Sequence, residues 1–201
     1  MENKITFNNF VFRSNLFPAH ARVCCLGELY RVAVKSHKFD DIRFSEHRPL
    51  MLTLKRKFVT IVLFPSGKLR VMVPHVHSVR KACHYTNRFV MKRLGISQQG
   101  LQLGHVYLQT ITATFDLKTP VNLMRLHKFI ATQPAAYPSE TLIPPSCNIL
   151  MTEIFPALQL KLLGNTHTNV FASSKGVITG LKYKDDAYVI ADRIHEFVKC
   201  V

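Results

Sequence analysis

Residues 64–68 read Phe-Pro-Ser-Gly-Lys, and residues 171–175 read Phe-Ala-Ser-Ser-Lys. Each string closes one apolar run and opens another, so each reads as a tight polar turn between two strands. Their separation, 171 − 64 = 107 residues, is about half of the 201-residue chain. One five-residue match is weak evidence by itself. Its weight comes from the flanking elements, which fall in similar order around both strings.

Around the first string, residues 50–64 (LMLTLKRKFVTIVLF) are rich in strand-favouring residues, and Leu69 to Val73 resume the run, which predicts a hairpin. Beyond Pro74, the apolar positions Val79, Ala82, Cys83, Val90 and Leu94 recur largely at helical spacing with basic residues between them. This predicts a helix over residues 77–94, with Gly95 as its stop. Around the second string, residues 106–115 (VYLQTITATF) read as a strand, and Thr119-Pro120 opens a helix running to about Ile130. Pro134, Pro138, Pro144 and Pro145 exclude regular structure from residues 133–146. Two strands then flank a polar turn at Gly164 to His167, and a third runs from about Gly176 to Tyr183. Finally, Ala187, Ile190, Ala191, Ile194, Phe197 and Val198 share one helical face, with Asp185 and Asp186 near its positive end.

Charge divides the halves. Lys and Arg number 27 against 12 Asp and Glu, a net +15, in a chain 10% aromatic and 19% charged. Eighteen basic and five acidic residues lie in the first hundred, leaving +13; the remaining 101 residues carry nine and seven, leaving +2. An excess spread along a foldable chain suits a surface that meets a polyanion, and makes disorder a poor description. It disfavours an enzyme for acidic substrates. No apolar stretch approaches the length of a membrane span and MENKITFNN lacks the core of a signal peptide, so a soluble intracellular protein is expected.

Catalytic and metal chemistry find little support. The five cysteines, Cys24, Cys25, Cys83, Cys147 and Cys200, show no Cys-x-x-Cys pair and read as reduced thiols. His75-Val76-His77 is followed by no further ligand cluster, so no metal is expected. The serines lack a Gly-x-Ser-x-Gly setting, and no phosphate-binding glycine loop appears. No cofactor and no enzymatic activity are expected.

The residues carrying the repeat resemble the TATA-box-binding protein family. Phe171 to Lys175 followed by Val177-Ile178-Thr179-Gly180-Leu181-Lys182 is similar to the family's strand-turn-strand, and Glu153-Ile154-Phe155-Pro156-Ala157 to its stirrup. Tyr107 to Lys118 resembles the strand opening its second repeat, while Asn9-Phe10-Val11 and Leu63 to Lys68 resemble first-repeat segments. The resemblance is strong over residues 106–201 and weak over 1–50. It implies an α+β fold, residues 1–100 forming one repeat and 101–201 the second, with a Pro-rich insertion near 133–146. Together they would make one saddle domain, a curved antiparallel sheet with helices on its convex face.

The resemblance also implies a minor-groove DNA-binding surface. Phe64, Phe155 and Phe171 match three of the family's four intercalating phenylalanines, and the fourth falls at His47 or nearby Phe44. Groove contacts fall at Asn9, Val11, Val71, Thr110, Val177 and Thr179. Thr110 stands where the family has its second asparagine, and Met72 where it has its first-repeat threonine, so the TATA preference is expected to be relaxed or shifted. Lys68, Lys161 and Lys175 match phosphate-contacting positions. Glu153 matches a residue that meets the factor IIB class, and Arg80, Lys81, Arg88, Lys92 and Arg93 form a basic helix for an acidic partner or flanking DNA.

The function so implied is a promoter factor that binds and bends A·T-rich double-stranded DNA. It would recruit RNA polymerase through a factor IIB-like protein, with a factor IIA-like protein as a further partner. Its place would be the nucleus, or the site of viral transcription for a viral chain. Two alternatives stay open: a protein-interaction scaffold that keeps the fold without specific DNA binding, and a nucleic-acid enzyme carrying such a domain.

Overall fold

Two units with the same element order divide the chain: Asn9–Gln109, and Met1–Asn8 together with Thr110–Val201. The computed structural model describes residues 4–15, 26–47, 50–94, 105–132, 146–152 and 155–201. The first unit holds β1 (Thr6–Asn15, from Asn9 onward), α1 (Leu26–Ser36), β2 (Asp41–Ser45), β3 (Met51–Arg56), β4 (Val59–Leu63), β5 (Lys68–Val73) and α2 (Ser78–Leu94). Its strands pair antiparallel in the order β2-β3-β4-β5-β1. The second unit holds β6 (Tyr107–Asp116, from Thr110 onward), α3 (Leu123–Thr132), β7 (Ser146–Thr152), β8 (Phe155–Lys161), β9 (His167–Val170), β10 (Lys175–Leu181) and α4 (Asp185–Lys199). These strands follow the corresponding order β7-β8-β9-β10-β6.

Alternation along the strands gives each sheet a buried side and an open face. In β5, Leu69, Val71 and Val73 are buried while Lys68 and Arg70 are exposed; in β10, Gly176, Ile178 and Leu181 are buried while Lys175 and Thr179 are exposed. The buried side packs against helices with matching apolar stripes. In α4 that stripe is Ala187, Ile190, Ala191, Ile194 and Phe197, spaced three or four residues apart as expected. In α1 it is Leu26, Leu29 and Ala33.

Cross-strand volumes are matched differently in the two units. Ser14 faces Leu69 across β1 and β5, a small residue opposite a large one. At the corresponding pair in the second unit, Phe115 faces Gly176, and the sizes are exchanged. A Cβ on Gly176 would lie 2.0 Å from Cζ of Phe115, so that ring occupies the space a side chain would need.

Several boundaries differ from the sequence expectation. The run 50–64 is two strands, because the chain reverses at Lys57-Phe58 with Lys57 at φ 51°. Helix α3 begins at Leu123 rather than at Pro120: Oδ1 of Asn122 accepts from the amide of Arg125 at 3.0 Å and caps the helix there. Pro120 precedes that cap, and the next amide, of Val121, donates to the carbonyl of Ala172 at 3.0 Å. Elements α1, β2 and β7 had no sequence expectation, and residues 133–145 lie outside the described residues.

Candidate nucleic-acid interface

The two repeated turns have the same backbone geometry. The amide of Phe64 donates to the carbonyl of Lys68 at 3.1 Å, and that of Gly67 to the carbonyl of Phe64 at 3.0 Å. In the second unit, Phe171 donates to Lys175 at 2.9 Å and Ser174 to Phe171 at 3.2 Å. Gly67 and Ser174 occupy the same left-handed conformation, at φ 73° and 72°. Such a turn ordinarily selects glycine, since a Cβ is disfavoured there. Each turn thus fixes a phenylalanine at its start and a lysine at its end, on the rim of an open face. Phe64 and Phe171 are partly buried, and Lys68 and Lys175 are exposed.

Counting back along the paired strands gives the rest of the face. Asn15 pairs with Lys68 and Asp116 with Lys175. Six residues earlier on each strand stand Asn9 and Thr110, so these two occupy equivalent positions. Val11 pairs with Met72, and Thr114 with Val177. Val11, Met72, Val177 and Thr179 all reach the open face, as do Gln159 and Lys161, which alternate with buried Leu158, Leu160 and Leu162. Val71 does not. It is fully buried between the exposed Arg70 and the partly exposed Met72, so the expected groove contact at Val71 is corrected to its neighbours. A shift of one residue moves a strand position to the other face.

Two arginines that the sequence reading did not single out join this surface. Arg13 and Arg70 are cross-strand partners, both exposed. They line an open cleft of about 560 Å³ with Phe64, Pro65, Lys68 and Leu50, and the Arg70 guanidinium lies 5.9 Å from the Phe64 ring centre. Of the two residues considered for the fourth wedge, Phe44 is unsuited: its ring stacks on Tyr30 of α1 at 5.4 Å. His47 is exposed, and Leu50, 38% exposed beside Phe64, supplies the apolar side chain at that cleft.

The remaining expected residues are distributed elsewhere. Phe155 opens β8 opposite Thr152. Glu153 lies outside the described residues. Arg80, Lys81 and Arg88 are exposed on α2, whose Val79, Ala82, Cys83 and Phe89 are buried; Lys92 and Arg93 lie in its last turn. Arg80, Lys81 and Arg88 therefore belong to the helix-covered side, not to the open face. Burial pushes the Cys83 thiol up to about 11 and leaves it unreactive. Among the described residues no group of His, Cys, Asp or Glu is arranged to hold a metal ion, and no helix is long and apolar enough to cross a membrane.

Asp116 anchors the second turn. Its carboxylate accepts from the Lys118 amide at 2.9 Å, the Ser174 hydroxyl at 2.9 Å and the Lys118 ammonium at 3.2 Å. The Lys118 amide, with help from the other two donors, lowers its pKa to about 2. Nearby, Asn8 donates through Nδ2 to Oγ1 of Thr114 at 2.9 Å, placing an amide on the second unit's face.

No protein-family model matches the chain, and the comparison with curated proteins found no match. Solved structures do resemble it. Methanococcus jannaschii TBP superposes with a TM-score of 0.65 at 20% identity, over 98% of this chain and 99% of that one. A rolling circle replication initiator protein from Geobacillus stearothermophilus reaches only 0.40 at 11% identity, over 98% and 80% of the two chains. The chain accordingly has the α+β fold of the TATA-box-binding proteins, strand, helix, four strands and helix, twice over.

Proposed function

We propose that the chain is a transcription initiation factor that binds A·T-rich promoter DNA through the minor groove and bends it. In this reading it recruits RNA polymerase through a factor IIB-like protein, in the nucleus or at the site of viral transcription. The observation that carries this reading is the pair of equivalent turns, each holding a phenylalanine and a lysine at the rim of an open face. A ring inserted between base pairs unstacks them at a cost of about a few kcal/mol per step. TATA-box-binding proteins are a known example of that mechanism, and the magnitude is general to it. The cost is offset when the bent duplex meets more of the protein.

The contacts divide into two kinds. Lys68, Lys161 and Lys175 neutralise phosphates, whereas Asn9, Thr110, Val11, Val177 and Thr179 meet the groove floor. Met72 and Leu50 add apolar surface, and Glu153 contacts the factor IIB-like partner. The exposed cations of α2 bind an acidic partner such as a factor IIA-like protein.

Fluorescence bending and affinity measurements on A·T-rich, G·C-rich and scrambled duplexes, repeated across salt, test the proposal. Selective binding with a sharp bend is expected. Phe155→Ala with Phe171→Ala should reduce bending more than stability, and unchanged bending in a cooperatively folded double variant sinks the wedge assignment. A second reading, a protein scaffold with this fold, is favoured by Thr110 and by the packing of Phe44 on Tyr30. Weak, salt-sensitive binding without bending would select it.

A further inference from the structure

The two open faces offer different hydrogen-bonding chemistry, and we infer that this difference sets the orientation of the duplex: the first unit takes A·T pairs, while the second accommodates guanine. The inference rests on the minor-groove reading above. Across β2, β3, β4, β5 and β1, one row of cross-strand partners is Arg43, Thr53, Val62, Arg70 and Arg13. The corresponding row across β8, β9, β10 and β6 is Gln159, Asn169, Val177 and Thr114. The rows are equivalent because Arg70 and Val177 each stand two residues beyond the lysine of their turn. Partners directly opposite share a face. One row therefore presents three guanidiniums, and the other amides, a hydroxyl and no charge.

Like charges directly opposite on a sheet repel, yet Arg13 and Arg70 are placed so. Among the described residues neither they nor Lys68 has a carboxylate within salt-bridge distance, whereas Arg43 has Asp41 at 2.9 Å. The sequence contains no Asp or Glu between Glu46 and Asp116. This face is built to receive electron-rich atoms from outside the chain.

Guanidinium is only a donor, while a carboxamide carries both a donor and an acceptor. An A·T pair shows only acceptors on the minor-groove floor, adenine N3 and thymine O2, and a G·C pair adds the guanine amino donor. Arginines matched to A·T would meet that amino group donor against donor. The narrow groove of A·T tracts also deepens the negative potential that draws arginine in. Gln159 can turn an amide oxygen toward the guanine amino group or an amide nitrogen toward N3 and O2, and Asn169 beside it keeps an enclosed Oδ1 without a hydrogen-bond partner. Asn8 adds a further exposed amide to the same unit.

The test uses a duplex with one A·T half and one half interrupted by G·C pairs. A photocrosslinking amino acid in place of Ser173, in the turn of the second unit, reports which half lies beside it. The wild-type chain is expected to favour the G·C-bearing half by about tenfold. Arg13→Thr with Arg70→Val gives the first unit the second unit's residues and should bring the ratio near one. Adding Thr114→Arg and Val177→Arg should invert it. Should the first variant fail to fold, Arg13→Gln with Arg70→Gln keeps the side-chain length and removes the charge. Equal crosslinking of both halves by a wild-type chain that binds and bends overturns this inference alone. So does a full bias retained by the double variant while the salt slope falls by about two, since the arginines would then only neutralise phosphates. A wild-type chain that bends neither half overturns the promoter reading as well.

Discussion

The hydroxyl of Ser174 donates to Oδ1 of Asp116 at 2.9 Å, tying the turn after β9 to the end of β6. The Leu117 amide donates to the Ser174 carbonyl at 2.9 Å and completes the tie. Ser174 holds this position at φ 72°, a conformation that disfavours any side chain. Ser174→Ala removes the hydroxyl and keeps the strain, so a loss of stability is expected. Ser174→Gly removes both, and its loss should be smaller by about 1 kcal/mol. Urea unfolding of the two variants checks the order; equal losses would refute it.

Asp116 makes stability depend on pH in a defined direction. Its folded pKa, about 2, lies below the ordinary 3.8. A depressed carboxyl contributes stability that is present above the unfolded value and is lost as pH falls through the folded one. The advantage of the wild-type chain over Asp116→Asn should therefore be full above about pH 4 and shrink toward pH 2. Urea midpoints for both chains across that window measure it.

Gly176→Ala should cost about 1–3 kcal/mol, because the new methyl meets the ring of Phe115 in a filled core. Gly176→Leu alone should be worse. Adding Phe115→Ser reproduces the Leu69 and Ser14 pair of the first unit and should recover part of that loss. A double-mutant cycle on thermal unfolding reads the coupling, and strictly additive losses would contradict the packing argument.

Salt dependence separates the open face from the helices. If Lys68 and Lys175 meet phosphates, each change to Gln lowers the slope of log affinity against log salt by about 0.9. Arg80→Gln, on the helix-covered side, should leave the slope unchanged. Titrations at several ionic strengths distinguish the two, and a drop at Arg80 would place DNA on that side.

The legible parts of the sequence were those where one local rule dominates. The terminal helix follows from its apolar spacing, and the turns from short polar strings that interrupt two apolar runs. The β3–β4 reversal was hidden because it carries neither glycine nor proline, and Lys57 takes the positive φ instead. In α1, three buried positions among eleven residues left a thin helical signal, and β2 is only five residues long. Family positions point to Val71, which lies on the buried face, and do not include Arg13 or Arg70. Alternation carried the missing signal: Phe12 and Ser14 are buried, so Arg13 shares a face with Val11.

The exchanged sizes of the Ser14–Leu69 and Phe115–Gly176 pairs bear on how a duplicated chain reaches its native state. Two halves with identical strand order invite a trap in which β1 joins β10, or β6 joins β5. The first mistake sets Ser14 against Gly176 and leaves a void; the second forces Phe115 onto Leu69 and overfills the layer. Either error loses core packing worth about 1–5 kcal/mol. Volume matching thus disfavours swapped strands, and the divergence of the halves adds a packing penalty to their misassembly.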